Sequence, residues 1–99
     1  MKTTFTSRHF EASNRLQDYS VKAVSKLEKF YDGIIDCDII MQPNEDHDEP
    51  NRAELIVKVP NDLLNVSETA ATYEQAMLKA VDTMKRLLIR YKEKRFAKQ

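Results

Sequence analysis

The chain has 99 residues, 41% of them hydrophobic and 32% charged, and its 16 cations balance 16 carboxylates for a formal net charge of zero. That length holds one domain with a small core, since a chain of this size buries only about 60–70% of its unfolded surface, and the apolar fraction argues against disorder. A lone cysteine, Cys37, gives no intrachain disulfide framework and no cysteine pair for a metal; a single glycine gives no Gly-rich phosphate loop; no apolar run approaches the ~18 residues of a spanning helix.

The opening MKTTFTSRHF lacks the apolar block of a signal peptide, so a cytoplasmic, unprocessed chain is expected. Lys2 to Phe10, rich in Thr and Phe and free of Gly and Pro, reads as a strand. ASNRLQDYSVKAVSKLEKFYDG then carries a helix. Asn14 with Gln17 three residues on resembles a capping box, and Gly33 stands where a left-handed C-cap would sit. Leu16, Tyr19, Ala23, Leu27, Phe30 and Tyr31 recur at spacings of three and four, which makes one apolar stripe.

IIDCDIIMQ is β-branched and apolar, PNEDHDEPN interrupts it with acids and two prolines, and RAELIVKVP resumes a strand. Ala53, Leu55, Val57 and Val59 alternate with Arg52, Glu54 and Lys58, so one face is buried; Ile56 is the exception. The pair reads as a hairpin with an acidic tip. Pro60-Asn61-Asp62 turns the chain into a shorter strand near Leu63 to Glu68. From about Thr72 to the end runs a long amphipathic helix, with Tyr73, Ala76, Met77, Ala80, Val81, Met84, Leu88 and Tyr91 on its apolar face. The order β-α-β-β-β-α predicts an α+β two-layer sandwich, with two helices on one face of a four-stranded mixed sheet. The helical crossover should make the first strand pair parallel and right-handed, and the hairpins antiparallel.

Neutrality hides an asymmetry. Residues 79 to 99 hold eight Lys or Arg against Asp82 and Glu93, a local charge of +6, whereas 36 to 54 hold seven acids against Arg52, or −6. At 100° per residue, Arg15, Lys22, Lys26 and Lys29 share a sector of about 60°, roughly 110° from the apolar stripe. On the last helix Lys79, Arg86, Arg90 and Lys94 fall in a second sector with Thr83, flanked by Glu93, with Lys85 and Lys92 on its shoulder. If the helices pack side by side, these stripes form one basic floor. Solvated helix faces usually interleave Glu with Lys, and few such pairs neutralise these stripes. Unpaired cations along a surface are the footprint of a phosphate polymer, and Phe96 and the tyrosines could stack on bases, although Tyr73 and Tyr91 sit on the apolar stripe.

Catalytic signals are poor. His9 and His47 are the only histidines; His47 with Asp46, Asp48 and Glu49 matches neither a calcium loop nor a zinc motif. Asp36 and Asp38 alternate on a strand and face solvent together. No enzyme, metal, cofactor or small-molecule substrate is expected.

SKLEKFYDGIID, VKVP and ATYEQAMLKAVDTMKRLLIRYKEK, in this order and spacing, resemble the short ribosome hibernation promoting factors, also called ribosome-associated inhibitors. The resemblance runs end to end. It implies a fold akin to double-stranded-RNA-binding domains, placed in the small-subunit channel where mRNA and tRNAs would lie. It implies rRNA contacts through Lys22, Lys26 and Lys29 on the first helix and Lys79, Arg86, Arg90, Lys92 and Lys94 on the last, and Arg15 is expected to join them from its place in the first basic sector. Thr83 and Ile89 stand where the family often has lysine or arginine. The acidic tip from Gln42 to Asn51 is distinctive. Residues 1–99 are expected to form a single ribosome-binding domain without the ribosome-pairing domain of long members, monomeric when free, with no membrane partner. The alternative is a module whose helical face binds an acidic protein, such as a transcription regulator.

Overall fold

The computed structural model describes residues 1–96, and of Phe96 the backbone alone; the stacking role considered for its side chain and the expected helical course of residues 97–99 lie outside the described residues. The elements run β1 (Lys2–Ser7), α1 (Asn14–Ser25), a 3-10 segment (Lys26–Lys29), β2 (Asp36–Pro43), β3 (Asn51–Val59), β4 (Asp62–Ala70) and α2 (Tyr73–Phe96). The strands form one sheet in the order β1-β2-β3-β4, with β1 parallel to β2 and the other two pairs antiparallel. This is the expected β-α-β-β-β-α sandwich, and the two periodicities explain it.

Period two buries Cys37, Ile39 and Met41 of β2 and Ala53, Leu55, Val57 and Val59 of β3. The register aligns Ile39, Leu55 and Val66 across three strands. Above them lie Leu16, Ala23, Val24 and Leu27 from the first helical segment, and Ala76, Met77, Ala80, Met84 and Leu88 from α2. Each large side chain fully removed from water contributes about 1.5–3 kcal/mol. The opposite sheet face carries Asp36 and Asp38 beside Thr4, whose hydroxyl donates to Asp38, and the half-buried Ile56 stands among these polar groups. An aromatic pair pins each end of the helical layer. Phe10 stacks on Tyr73 at 4.4 Å, and Tyr31 meets Tyr91 edge-on at 5.4 Å.

Several local expectations are corrected. The N-cap of α1 is Ser13, whose extended backbone lets Oγ accept from the Leu16 N–H at 3.0 Å; Asn14 is already helical, and Gln17 reaches back to the Ala12 carbonyl. Gly33 has no left-handed backbone. The helix ends by tightening into the 3-10 segment, where the Lys26 N–H donates to the Val24 carbonyl. Gly33 is small for another reason: a Cβ there would overlap the Tyr31 phenol. The left-handed positions are His9 (φ 66°), which stops β1 at Ser7 rather than Phe10, and Asn61 (φ 65°). Pro60 then Asn61 gives proline followed by positive φ, the type II turn combination. That turn brings Asp62 opposite Val59, so β4 is longer than expected. The turn also receives α2, because Tyr91 Oη donates to the Pro60 carbonyl at 2.7 Å.

Two predictions follow from this packing. Replacing Ser13 by alanine should cost about 1 kcal/mol in urea unfolding, while Asn14→Ala should cost little, because only Ser13 supplies the cap. Burial, with a smaller push from Asp38, raises the Cys37 thiol to about 12 from 9.0. Its folded state therefore binds the proton more tightly than the unfolded state. The stabilising contribution of the buried, protonated thiol is fully present below about pH 9 and is lost as pH rises from there toward 12. Wild type should lose stability relative to Cys37→Ala across that window, and a thiol reagent at pH 8 should react only as fast as the protein opens.

Candidate nucleic-acid interface

The two helical segments lie side by side on the same sheet face, and the seam between them gathers cations. Lys22 lies on α1, Lys26 and Lys29 in the 3-10 segment. A four-residue step in an α-helix advances about 6 Å, and a three-residue 3-10 step also advances about 6 Å with its ends eclipsed. The tightening thus keeps all three lysines in one row. With Tyr19, Ala23, Ser25 and Leu78 they line a groove of about 420 Å³. Farther along, Lys26 and Lys29 meet Phe30, Val81, Asp82 and Lys85, and then Lys29 faces Lys92 across Tyr31 and Asp32. The wall contributed by α2 is Leu78, Lys85 and Lys92, spaced by seven residues. Lys85 Nζ sits 5.0 Å from the Phe30 ring centroid, which holds the ammonium at the seam by cation–π attraction.

The remaining cations do not join the seam. Arg15 is exposed on the first turn of α1, outside the residues that line the groove. Arg86 and Arg90 are exposed on α2, where Arg86 pairs with Asp82 one turn earlier. Lys79 turns toward the sheet edge: its Nζ donates to the Thr69 carbonyl at 2.7 Å and to Glu49 Oε2 at 3.3 Å. Thr83 follows on that flank, donating to Glu68 Oε2 at 2.7 Å. Lys94 borders the Pro60-Asn61 turn with Arg95. The expected single floor is therefore two features, a lysine seam between the helices and a ridge along α2 that leans over β4. Burial of Met77, Ala80 and Met84 sets this rotation. Sequence reading left Lys85 on a shoulder; its seven-residue spacing from Leu78 and Lys92 is the signal that places it on the seam.

Among the described residues, the ion pairs involve Lys79, Arg86 and the Met1 amine, and none involves Lys22, Lys26, Lys29, Lys85 or Lys92. The seam is a row of lysines that no described carboxylate pairs directly, although Asp82, Asp32 and Glu28 border its far half. At the ridge, the hydrogen bond and charge of Arg86 hold the Asp82 carboxyl below its usual range, and Asp82 in turn raises the guanidinium. Among the described residues no cluster of His, Cys, Asp or Glu is placed to hold a metal, and no helix is long and apolar enough to cross a membrane.

The family model described as Sigma 54 modulation protein / S30EA ribosomal protein matches residues 3–95. The fold is similar to the Thermus thermophilus Protein Y N-terminal domain, at 25% identity and TM-score 0.79, covering 92% of this chain and 99% of that one. It is also similar to a ribosomal subunit interface protein from Coxiella burnetii, at 18% identity and TM-score 0.84, covering 93% and 98%. No curated protein matches the chain.

Retention on an immobilised polyanion such as heparin should rank the cations. Lys26→Gln and Lys29→Gln should each elute at lower salt than wild type, and Lys79→Gln should move less because its ammonium is already engaged by Glu49 and Thr69. Asp82→Asn, which releases Arg86, should elute later than wild type.

Proposed function

The chain belongs to the Sigma 54 modulation protein / S30EA ribosomal protein family, and on that premise we propose that it is a ribosome-binding translation inhibitor of the hibernation type. It would occupy the small-subunit channel that mRNA and tRNAs use, with rRNA as its partner in the cytoplasm. The observation that carries this reading is the lysine row Lys22, Lys26 and Lys29, unpaired among the described residues and faced across the seam by Lys85 and Lys92. A second line of phosphate contacts falls to Arg86, Arg90 and Lys94 on the ridge, with Arg15 extending the first line. Lys79 can join by exchanging Glu49 for a phosphate, since that pair is exposed and worth ~1 kcal/mol or less.

Inhibition needs no chemistry in this reading. A rigid wedge whose two cationic tracks grip rRNA excludes other ligands by volume, and the phosphates supply affinity while the fit of the fold to the RNA supplies selectivity. Six to eight such contacts make binding steeply salt-dependent, falling by about three to five powers of ten between ~50 and ~200 mM salt by analogy with duplex DNA.

The test is gradient co-sedimentation with purified small subunits at ~50 and ~300 mM salt. Wild type should travel with the subunit at low salt only, and Lys26→Glu, Lys29→Glu, Arg86→Glu, Arg90→Glu combined should stay at the top. Saturating mRNA and tRNA should displace wild type. Binding that ignores salt would overturn the phosphate mechanism, and binding that ignores mRNA and tRNA would overturn the channel.

A further inference from the structure

The seam has a floor that phosphate neutralisation does not require. Leu78 is 51% exposed in the middle of a charged surface, and across the groove it faces Tyr19 and Ala23 beneath the rim of Lys22, Lys26 and Lys29. We propose that this groove receives one unstacked nucleobase of an RNA strand, laid on Leu78 and Tyr19 with its flanking phosphates on the lysine row. The inference rests on the rRNA-binding reading above and deepens it.

Three features favour a nucleobase over an acidic peptide. The lysines repeat at about 6 Å, on the order of the separation between neighbouring phosphates along one strand, so a base between two bound phosphates is directed at the floor. Among the described residues no carboxylate lines this groove, so an anionic backbone meets attraction along the row from Lys22 to Lys29. The third feature is size. A volume of about 420 Å³ suits a single small group, whereas a docked helix needs apolar anchors at i, i+3 or i+4, and i+7. Beyond Leu78 the trench runs over Val81 and the edge of Phe30 and then meets Asp82 and Lys85, the latter seated over Phe30. Two turns on from Leu78 a charge therefore stands where a docked helix would need a further apolar anchor. Apolar and aromatic surfaces of this kind hold the splayed bases of single-stranded RNA without regard to sequence.

Leu78→Ser removes the floor without touching the core, and its thermal unfolding should match wild type. Affinity for purified small subunits should fall about five- to a hundredfold, while the slope of log affinity against log salt stays unchanged. Lys26→Gln should instead reduce that slope by about one. Base-specific chemical probing of the rRNA should show one base protected by wild type and reactive again with Leu78→Ser. Unchanged affinity for Leu78→Ser would overturn the groove while leaving ribosome binding intact. Lost affinity without a newly reactive base would also overturn it, since a protein side chain would then fill the groove. If wild type itself fails to bind subunits, the functional reading falls and the groove assignment falls with it.

Discussion

The rotation of α2 about its own axis decides where every cation of that helix goes, and one buried stripe sets it. Ala76, Met77, Ala80, Met84 and Leu88 are fully buried over β3 and β4. The alanines let the helix come close to the sheet, and the methionines fill what the alanines leave. Turning the helix by one residue, 100°, would carry Lys79 or Lys85 toward the core, where an unpaired ammonium costs several kcal/mol. Given that stripe, Leu78, Lys85 and Lys92 must look toward the first helix, and Lys79 and Thr83 must look toward β4. The buried apolar side chains thus fix the electrostatic pattern of the exposed helical surface.

Topology adds a polarity along the molecule. Because β1 and β2 are parallel and both hairpins antiparallel, α1 and α2 run in the same direction, each returning from the end where β1, β2 and β4 finish. The acidic hairpin between β2 and β3 lies at that end too, where Asn51 Nδ2 donates to the Ala71 carbonyl and Glu49 accepts from Thr69 and Lys79. Both helix N-termini therefore point toward the acids, and the 3-10 lysines, Lys92 and Lys94 cluster at the opposite ends. Each charge cluster complements the partial charge of the helix termini it adjoins. The segregation visible as +6 and −6 along the sequence becomes a separation in space.

The architecture was legible because it rests on periodicities of 2 and 3.6 that neighbouring residues carry. Ala53, Leu55, Val57 and Val59 announce a one-faced strand without knowledge of any partner, and Leu16, Ala23 and Leu27 announce a helix face. Local backbone detail was less legible. Ser13 and Asn14 are both good capping residues, and only the backbone angles decide between them. Gly33 resembles a helix stop, but its role is to clear space for Tyr31. The cationic residues themselves could be named, yet their grouping could not. The switch to 3-10 geometry at Lys26 keeps Lys29 in line, and the partner of Lys79 is thirty residues away, in a loop that sequence treats as solvated acid. Contacts of that range are tertiary facts, and no window along the chain contains them.

Net neutrality has a physical consequence for recognition. α2 spans about 36 Å from the acidic end to the basic one, more than four Debye lengths at physiological salt, where the length is about 8 Å. A phosphate held at Lys29 or Lys92, as the proposed function requires, would therefore feel almost nothing of Glu45, Asp46 or Asp48, and the acids would cost such an interface little affinity. They would act instead on loosely bound polyanions lying along the whole helical layer, since such a strand must pass the acidic end as well. A chain with the same seam and no acidic hairpin would hold any nucleic acid along its length. In the proposed function, only an RNA surface that ends before the hairpin, or curves away from it, would engage Lys22, Lys26, Lys29, Lys85 and Lys92 at once. Under the proposed rRNA-binding function, selectivity for a shaped pocket in structured RNA over extended strands would follow from the separation of charge, with no base-reading side chain required.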